Sequence, residues 1–343
     1  MSETAVNGNS SEDNWQNADE LLSRFDKNKD GALDLGEFQE LCLELFGTDE
    51  IDRHGDKLVD IFQALDANSD GFLDDYEWQT CYDNWLKVVI KPVNIFLIVD
   101  VQNDFIDGTL ALRNLGLGQD AADIVGPINT LITDCHWDKI IYSLDWHPPN
   151  HIGFYDNLHL RELHPDSKVK KEDAKVFDTV LFSKPKREQK LWPIHCVFDS
   201  WGAQLHKDLI IAPNSIQIKK GQDPEVDSYS TFFDNNLEKA TELPQILEQL
   251  GATDIYMCGL AFDVCVCSSS LDGLRLNYRV ALIENCCRGV DPVQMAGAKK
   301  KITERGGLIL QLEQVKAHVE GKTRSLVMAL QGAKALAKRR SLL

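Results

Sequence analysis

Apolar residues follow two rhythms along the chain. Before residue 90 they recur at helical spacing. Leu21, Leu22 and Phe25 form one cluster, Phe38, Leu41, Cys42, Leu45 and Phe46 a second, and Leu58, Ile61, Phe62 and Leu65 a third. Steps of three and four predict amphipathic helices around a small core. Beyond Pro92 short apolar runs alternate with helical stretches. Candidate strands are 94–100, 139–145, 215–219, 253–258, 279–284 and 307–311, and the run 253–258 has the length and composition of a buried parallel strand. Helices are expected near 120–136, 242–250, 264–276, 292–304 and 323–338. Strand–helix alternation predicts an α/β domain with a mainly parallel sheet, whose ligands gather beyond the carboxyl ends of the strands. The expected organisation is a disordered segment over 1–14, a small all-α domain over 15–90 and an α/β domain over 91–343.

Charge separates the same two parts. The chain carries a net −18, and residues 1–90, with 22 acidic and 6 basic side chains, account for −16 of it. Such a module repels nucleic acid and anionic membrane and suits a cation. Met1 to Asp13 is polar, without the apolar stretch of a signal peptide. Nine cysteines, including the neighbours Cys286 and Cys287, do not resemble a disulfide framework. A reduced, cytoplasmic protein with nuclear access open is expected, with no membrane or nucleic-acid partner and with oligomerisation possible. The basic stretch from Lys334 to Arg340 reads as the solvated end of a helix. The final Ser341-Leu342-Leu343 lacks the basic middle residue of a peroxisomal address.

Two stretches in the acidic module repeat forty residues apart. Asp26, Asn28, Asp30 and Asp34 put oxygen side chains at positions 1, 3, 5 and 9 of a twelve-residue run closed by Glu37. Asp66, Asn68, Asp70, Asp74 and Glu77 repeat the pattern. Gly31 and Gly71 stand at position 6, where the turn is sharp. Ala32 and Phe72, at position 7, need offer only a carbonyl. Leu33 and Leu73 can pair between adjacent loops. The repeats resemble a pair of EF-hands, which implies two bound Ca²⁺. A structural or buffering role and a sensing role both stay open.

Beyond Pro92 the candidate chemistry falls at strand ends. The run 253–258 is closed by Gly259, and helical spacing follows Cys265. Backbone N–H groups and the dipole at a helix start favour a thiolate and could hold an oxyanion. A buried core cysteine is the alternative on this stretch alone. Asp100 ends the first strand and could act as a base. Asp145 and His147, two apart, suit a divalent transition metal, with His195 beside the rigid Trp192-Pro193 as a third candidate. Lys220 follows the strand at 215–219.

These motifs together resemble the isochorismatase-like hydrolases, and within them the nicotinamidases. The matching segments are Val99-Asp100-Val101-Gln102-Asn103-Asp104-Phe105, Asp145-Trp146-His147-Pro148, Trp192-Pro193-Ile194-His195-Cys196, Lys220-Gly221 and Gly259 to Val266. The resemblance covers roughly three quarters of the chain. It implies a three-layer fold with a six-stranded sheet, and hydrolysis of nicotinamide to nicotinic acid and ammonia. It assigns Cys265 as nucleophile, Asp100 and Lys220 as its catalytic partners, and the Ala261 and Cys265 N–H groups as the oxyanion hole. A cis peptide is implied at Leu260-Ala261. Asp145, His147 and His195 become ligands of Zn²⁺, or of Mn²⁺ or Fe²⁺, and Phe105, Trp192 and Tyr229 the walls around a flat substrate. Phe262 and the EF-hand module depart from the common pattern.

Three rivals are weighed. A metal-free amidase for carbamoyl or ureido substrates would share Asp100, Lys220 and Cys265 without needing Asp145, His147 and His195. A vinyl-ether hydrolase would not need a cysteine nucleophile. A calcium sensor with a binding-only hydrolase domain would not need a complete triad. Every catalytic candidate lies beyond Val99, so a chain starting near Lys91 is expected to be soluble and active, with at most a severalfold effect of calcium.

Overall fold

The structure is a computed structural model that describes residues 15–341. The segment expected to be disordered, 1–14, and the last two residues of the chain lie outside the described residues. Two compact units form. One runs up to Pro92 and resumes at Gly321; the other is Val93–Glu320.

The first unit begins with α1 (Ala18–Phe25), capped by the Asn17 side chain, which accepts from the Asp19 and Glu20 N–H groups. A two-residue strand β1 (Leu33–Asp34) leads into α2 (Leu35–Phe46), followed by α3 (Thr48–His54) and α4 (Lys57–Leu65). Strand β2 (Phe72–Leu73) leads into α5 (Asp75–Cys81), which runs through a π-type turn at Tyr82–Leu86 into α6 (Lys87–Ile90). Asp34 and Glu37 cap α2 reciprocally, so two loop residues also start the helix. β1 and β2 pair antiparallel with Leu33 opposite Leu73, as expected for adjacent loops.

The second unit opens with β3 (Asn94–Val99), α7 (Asn103–Ile106), α8 (Val125–Asp134) and β4 (Lys139–Asp145). A long excursion follows, holding the hairpin β5 (Thr179–Ser183) and β6 (Lys186–Lys190). Then come β7 (Ile216–Lys220), α9 (Leu243–Gln249), β8 (Asp254–Gly259), α10 (Cys267–Arg275), β9 (Arg279–Cys287), α11 (Pro292–Glu304), β10 (Leu308–Leu310) and α12 (Leu312–Val319). Six strands form one sheet in the order β10-β9-β8-β3-β4-β7, and every pairing is parallel. The runs read as strands are these six. β3 and β8 are buried throughout, as strands covered on both faces must be. The chain order reverses between β3 and β8, which makes a crevice at their carboxyl ends.

One boundary differs from expectation. The last helix, α13 (Leu326–Arg340), belongs with the first unit and not with the α/β domain drawn over 91–343. Leu326, Ala329, Ala333 and Leu336 join the core of that unit, beside Phe38, Leu58, Phe62 and Trp85. Their steps of three and four make one apolar stripe on a helix whose last turn is basic.

Candidate active site

Four neighbouring strands carry the residues that converge. Asp100 follows β3, Asp145 ends β4, Lys220 ends β7, and Gly259 ends β8. Asp100 adopts φ +50°, a left-handed conformation that Asp tolerates better than most side chains. After Gly259 comes the cis peptide Leu260-Ala261, at the position implied by the resemblance. A π-type turn at Phe262–Val266 then carries Cys265 into α10. Cys265 therefore stands at a helix entrance, two residues before the regular α-helix begins.

Lys220 is the hub. It is 1% exposed, and its ammonium lies 2.9 Å from Asp100 Oδ2 and 3.4 Å from Cys265 Sγ. It also donates to the Ser228 carbonyl at 3.0 Å and to Asp145 Oδ1. Burial opposes its charge, but Asp100, Asp145 and Cys265 outweigh burial and hold its pKa well above the lysine range. Asp100 is fully buried, and the Ser143 hydroxyl donates to its Oδ1 at 2.6 Å. Burial raises the Asp100 pKa, against the opposing pull of Lys220. Burial also pushes the Cys265 thiol well up; Lys220 opposes this, and Asp100 and Asp145 add to it. The resting thiol is thus protonated beside a carboxylate, rather than a thiolate as the helix start alone suggests.

The other face of Asp145 meets two histidines. Its Oδ2 lies 3.6 Å from His147 Nε2 and 3.8 Å from His195 Nε2. His147 Nδ1 sits 2.8 Å from the Gly221 carbonyl, and His195 Nδ1 sits 2.7 Å from the Pro193 carbonyl. Carbonyls only accept, so each Nδ1 carries a proton, and each Nε2 is the nitrogen left to face a metal. Three buried donors of types that suit a transition metal therefore face one point. Gly221 is required here. It has φ +69°, and a Cβ would stand 2.4 Å from the His147 ring. His151, stacked on His147 at 4.2 Å, differs. Its Nδ1 accepts from the Gly153 N–H at 3.2 Å, so its Nε2 carries a proton and cannot ligate. That Nε2 lies 4.0 Å from Asp227.

A cleft of about 400 Å³ opens onto Cys265 and the Asp145–histidine cluster. Phe105, Trp192, Tyr229 and Ala261 line it, as do Leu110, Leu112, Asp227, Val264 and Val290. Asp100 and Lys220 lie behind Cys265 and are not among the lining residues. Trp192 and Tyr229 meet edge to face at 6.3 Å, and the indole N–H donates to the Tyr229 hydroxyl at 3.2 Å.

Residues 94–314 match the family described as Isochorismatase domain. The chain belongs to that family. Residues 18–43 and 58–82 match the EF hand, so the first unit is an EF-hand pair. The chain is 35% identical over 226 residues to a nicotinamidase of Escherichia coli, covering 64% of this chain and 96% of that one. Its fold is similar to an Acinetobacter baumanii nicotinamidase pyrazinamidase, with TM-score 0.56, 30% identity, and coverage of 66% of this chain and 99% of the other. It is also similar to PnC1 from L. infantum in complex with nicotinate, with TM-score 0.52, 25% identity, and coverage of 64% and 93%. The protein is an amidohydrolase of the isochorismatase family. No helix among the described residues is long and apolar enough to cross a membrane.

Sequence reasoning missed several supports of the site. Gln102 donates to the Asp145 and Ala203 carbonyls and accepts from the Asp145 N–H, each at 2.8 Å, tying β3 to β4. Asp104 accepts from the Cys196 N–H at 2.7 Å and so holds the turn after His195. Asp263 accepts from the Val290 and Asp291 N–H groups and fixes one cleft wall. Gln102, Asp104 and Asp263 all lie inside the quoted motifs, which was the available signal. Ser143 and Asp227 carried none.

In the EF-hand unit, both loops are closed by their glutamates. Glu37 accepts from the Lys27 N–H at 2.7 Å and Glu77 from the Ala67 N–H at 2.7 Å. Gly31 and Gly71 turn with φ +88° and +89°. Oxygens of Asp66, Asp70 and Glu77 lie close enough to hold one ion.

Proposed function

We propose that the protein hydrolyses nicotinamide to nicotinic acid and ammonia, a step of NAD salvage, through a thioester on Cys265. The observation that carries this is the convergence of Cys265, Lys220 and Asp100 behind an aromatic cleft flanked by Asp145, His147 and His195. Nicotinate in the L. infantum relative is the product such a reaction would release.

Cys265 attacks the carboxamide carbon as its proton passes to Asp100, whose raised pKa suits the transfer. Lys220 stabilises the developing thiolate without giving up its own proton, because two carboxylates hold it charged. The Ala261 and Cys265 N–H groups receive the oxyanion. Collapse breaks the C–N bond, and Asp100 returns its proton to the departing ammonia. A water then loses its proton to Asp100 as it attacks the thioester, and that proton restores the thiol. Asp145, His147 and His195 would hold Zn²⁺, Mn²⁺ or Fe²⁺; when bound, the metal supplies a cationic centre for the pyridine nitrogen and orients the ring. Phe105, Trp192 and Tyr229 confine a flat ring. Ca²⁺ would occupy the loops Asp26–Glu37 and Asp66–Glu77.

The test is ammonia release from nicotinamide and from a ureido compound, with and without chelator. Release from nicotinamide that falls on chelation and returns with added metal is expected. Failure on nicotinamide with turnover of the ureido compound would establish the metal-free amidase instead.

A further inference from the structure

The apolar groove of the EF-hand unit is already filled. α13 packs along α4 and against the turn at Tyr82–Leu86. Leu326, Ala329, Ala333 and Leu336 supply its buried stripe. Both ends of the helix are pinned. At its start, Glu50 accepts from the Leu326 N–H at 2.8 Å, and Ser325 caps Val327 at 3.1 Å. In its first turn, the buried Trp85 indole donates to the Ala329 carbonyl at 2.9 Å. At its end, Arg340 donates to the Leu65 carbonyl at 2.8 Å.

Two of these grips, Leu65 and Trp85, stand on the elements joined by the second loop. Leu65 ends α4 and immediately precedes Asp66, the first oxygen position of the loop. Glu77, the last position, lies on α5, which continues through the π-type turn to Trp85. Glu77 is 2% exposed and turned into the loop; its Oε1 accepts from the Ala67 and Asn68 N–H groups at 2.7 and 2.9 Å. Its Oε2 is buried without a hydrogen-bond partner. A cation held between Asp66 and Glu77 therefore fixes α4 relative to α5 in the arrangement that receives α13.

We propose that the EF-hand unit is a helix-binding groove whose resident occupant is the chain's own C-terminal helix, and that calcium binding and helix docking reinforce each other. Coupling of this kind is reciprocal: whatever factor calcium adds to docking, docking adds to calcium affinity. The basic last turn, Lys338 to Arg340, on a module of strong negative charge favours the same docked state. The proposal rests on calcium binding at the loops.

The test uses the full chain, two variants and one control variant. Ala333→Asp places a charge in the stripe. Arg340→Gln keeps the stripe and removes one cation at the Leu65 carbonyl. Calcium affinity is measured by calorimetry, and hydrogen exchange of residues 326–340 by mass spectrometry. Expected are slower exchange of 326–340 on adding calcium, and calcium affinity lowered about fivefold or more in Ala333→Asp. A smaller loss is expected in Arg340→Gln, and none in the exposed control Lys334→Ala. Equal affinity in all four proteins, or exchange of 326–340 that calcium leaves unchanged or speeds, overturns the coupling. A wild-type chain that binds no calcium overturns the coupling together with the calcium assignment beneath it.

Discussion

Replacing Lys220 with methionine separates its electrostatic role from its packing. Methionine has nearly the same length and volume, so a well-packed site should tolerate the shape change at under about 1.5 kcal/mol. The charge is another matter. Lys220 stands 2.9 Å from Asp100 Oδ2 and also contacts Asp145, all three being buried. At an effective dielectric near 20, one pair at this distance attracts by roughly 6 kcal/mol before desolvation is counted. Removing one partner of a buried pair costs about 3–5 kcal/mol, because the remaining charge is stranded. Urea unfolding of Lys220→Met at neutral pH should show a loss in that range. The loss should shrink on acidification. Burial already raises the Asp100 pKa, and Lys220 is the chief force lowering it. Without Lys220 the folded state takes up a proton that the unfolded state does not. Stability relative to wild type is then recovered as pH falls through the raised folded value. Ammonia release should stay lost at every pH, including those where stability returns. A neutral-pH loss below about 1 kcal/mol, or a gap that widens on acidification, would refute the charged hub.

Four further outcomes are expected. Cys265→Ala should fold and bind nicotinamide in equilibrium dialysis without releasing ammonia, whereas Cys267→Ala, outside the cleft lining, should turn over normally. Ser143→Ala removes a hydrogen bond that lowers the Asp100 pKa, so the acid limb of kcat/KM should move to higher pH; an unmoved limb would remove Asp100 as the base. The double variant His147→Ala, His195→Ala should lose its transition metal by elemental analysis while retaining calcium. A chain of residues 93–320 should be better behaved than one of residues 91–343. The longer one leaves the stripe of α13 without its core, and its two leucines alone represent about 1.5–3 kcal/mol each; light scattering of the two purified chains decides it.

What the sequence made legible follows from range. Strands β3, β4 and β8 are apolar along most of their length because both faces are covered, and a continuous run reports that locally. The calcium loops and the segment from Gly259 to Cys265 were equally plain, since their geometry is set by residues a few positions apart. Strand β6, Lys186-Arg187-Glu188-Gln189-Lys190, was invisible because one charged hairpin strand has no apolar run to show. The state of the Cys265 thiol was also hidden. Spacing placed it at a helix start, but its pKa is governed by burial, by Lys220 and by Asp100, 45 and 165 positions earlier in the chain.

The C-terminal helix shows the same limit most clearly. Ala329 and Ala333 give a weak apolar signal, and Lys334 to Arg340 reads as solvated. Its partners Trp85 and Leu65 lie 244 and 275 positions away from Ala329 and Arg340. A small-residue stripe permits close approach of helices without announcing which helix approaches. The α/β sheet begins with β3 at Asn94, and nothing local in the sequence tells which unit claims the helix at 326–340. Any experiment that removes the EF-hand helices by cutting only near residue 91 removes the core of α13 along with them. Lost activity in such a chain would not by itself establish calcium regulation, and the calcium titration belongs on the full-length protein.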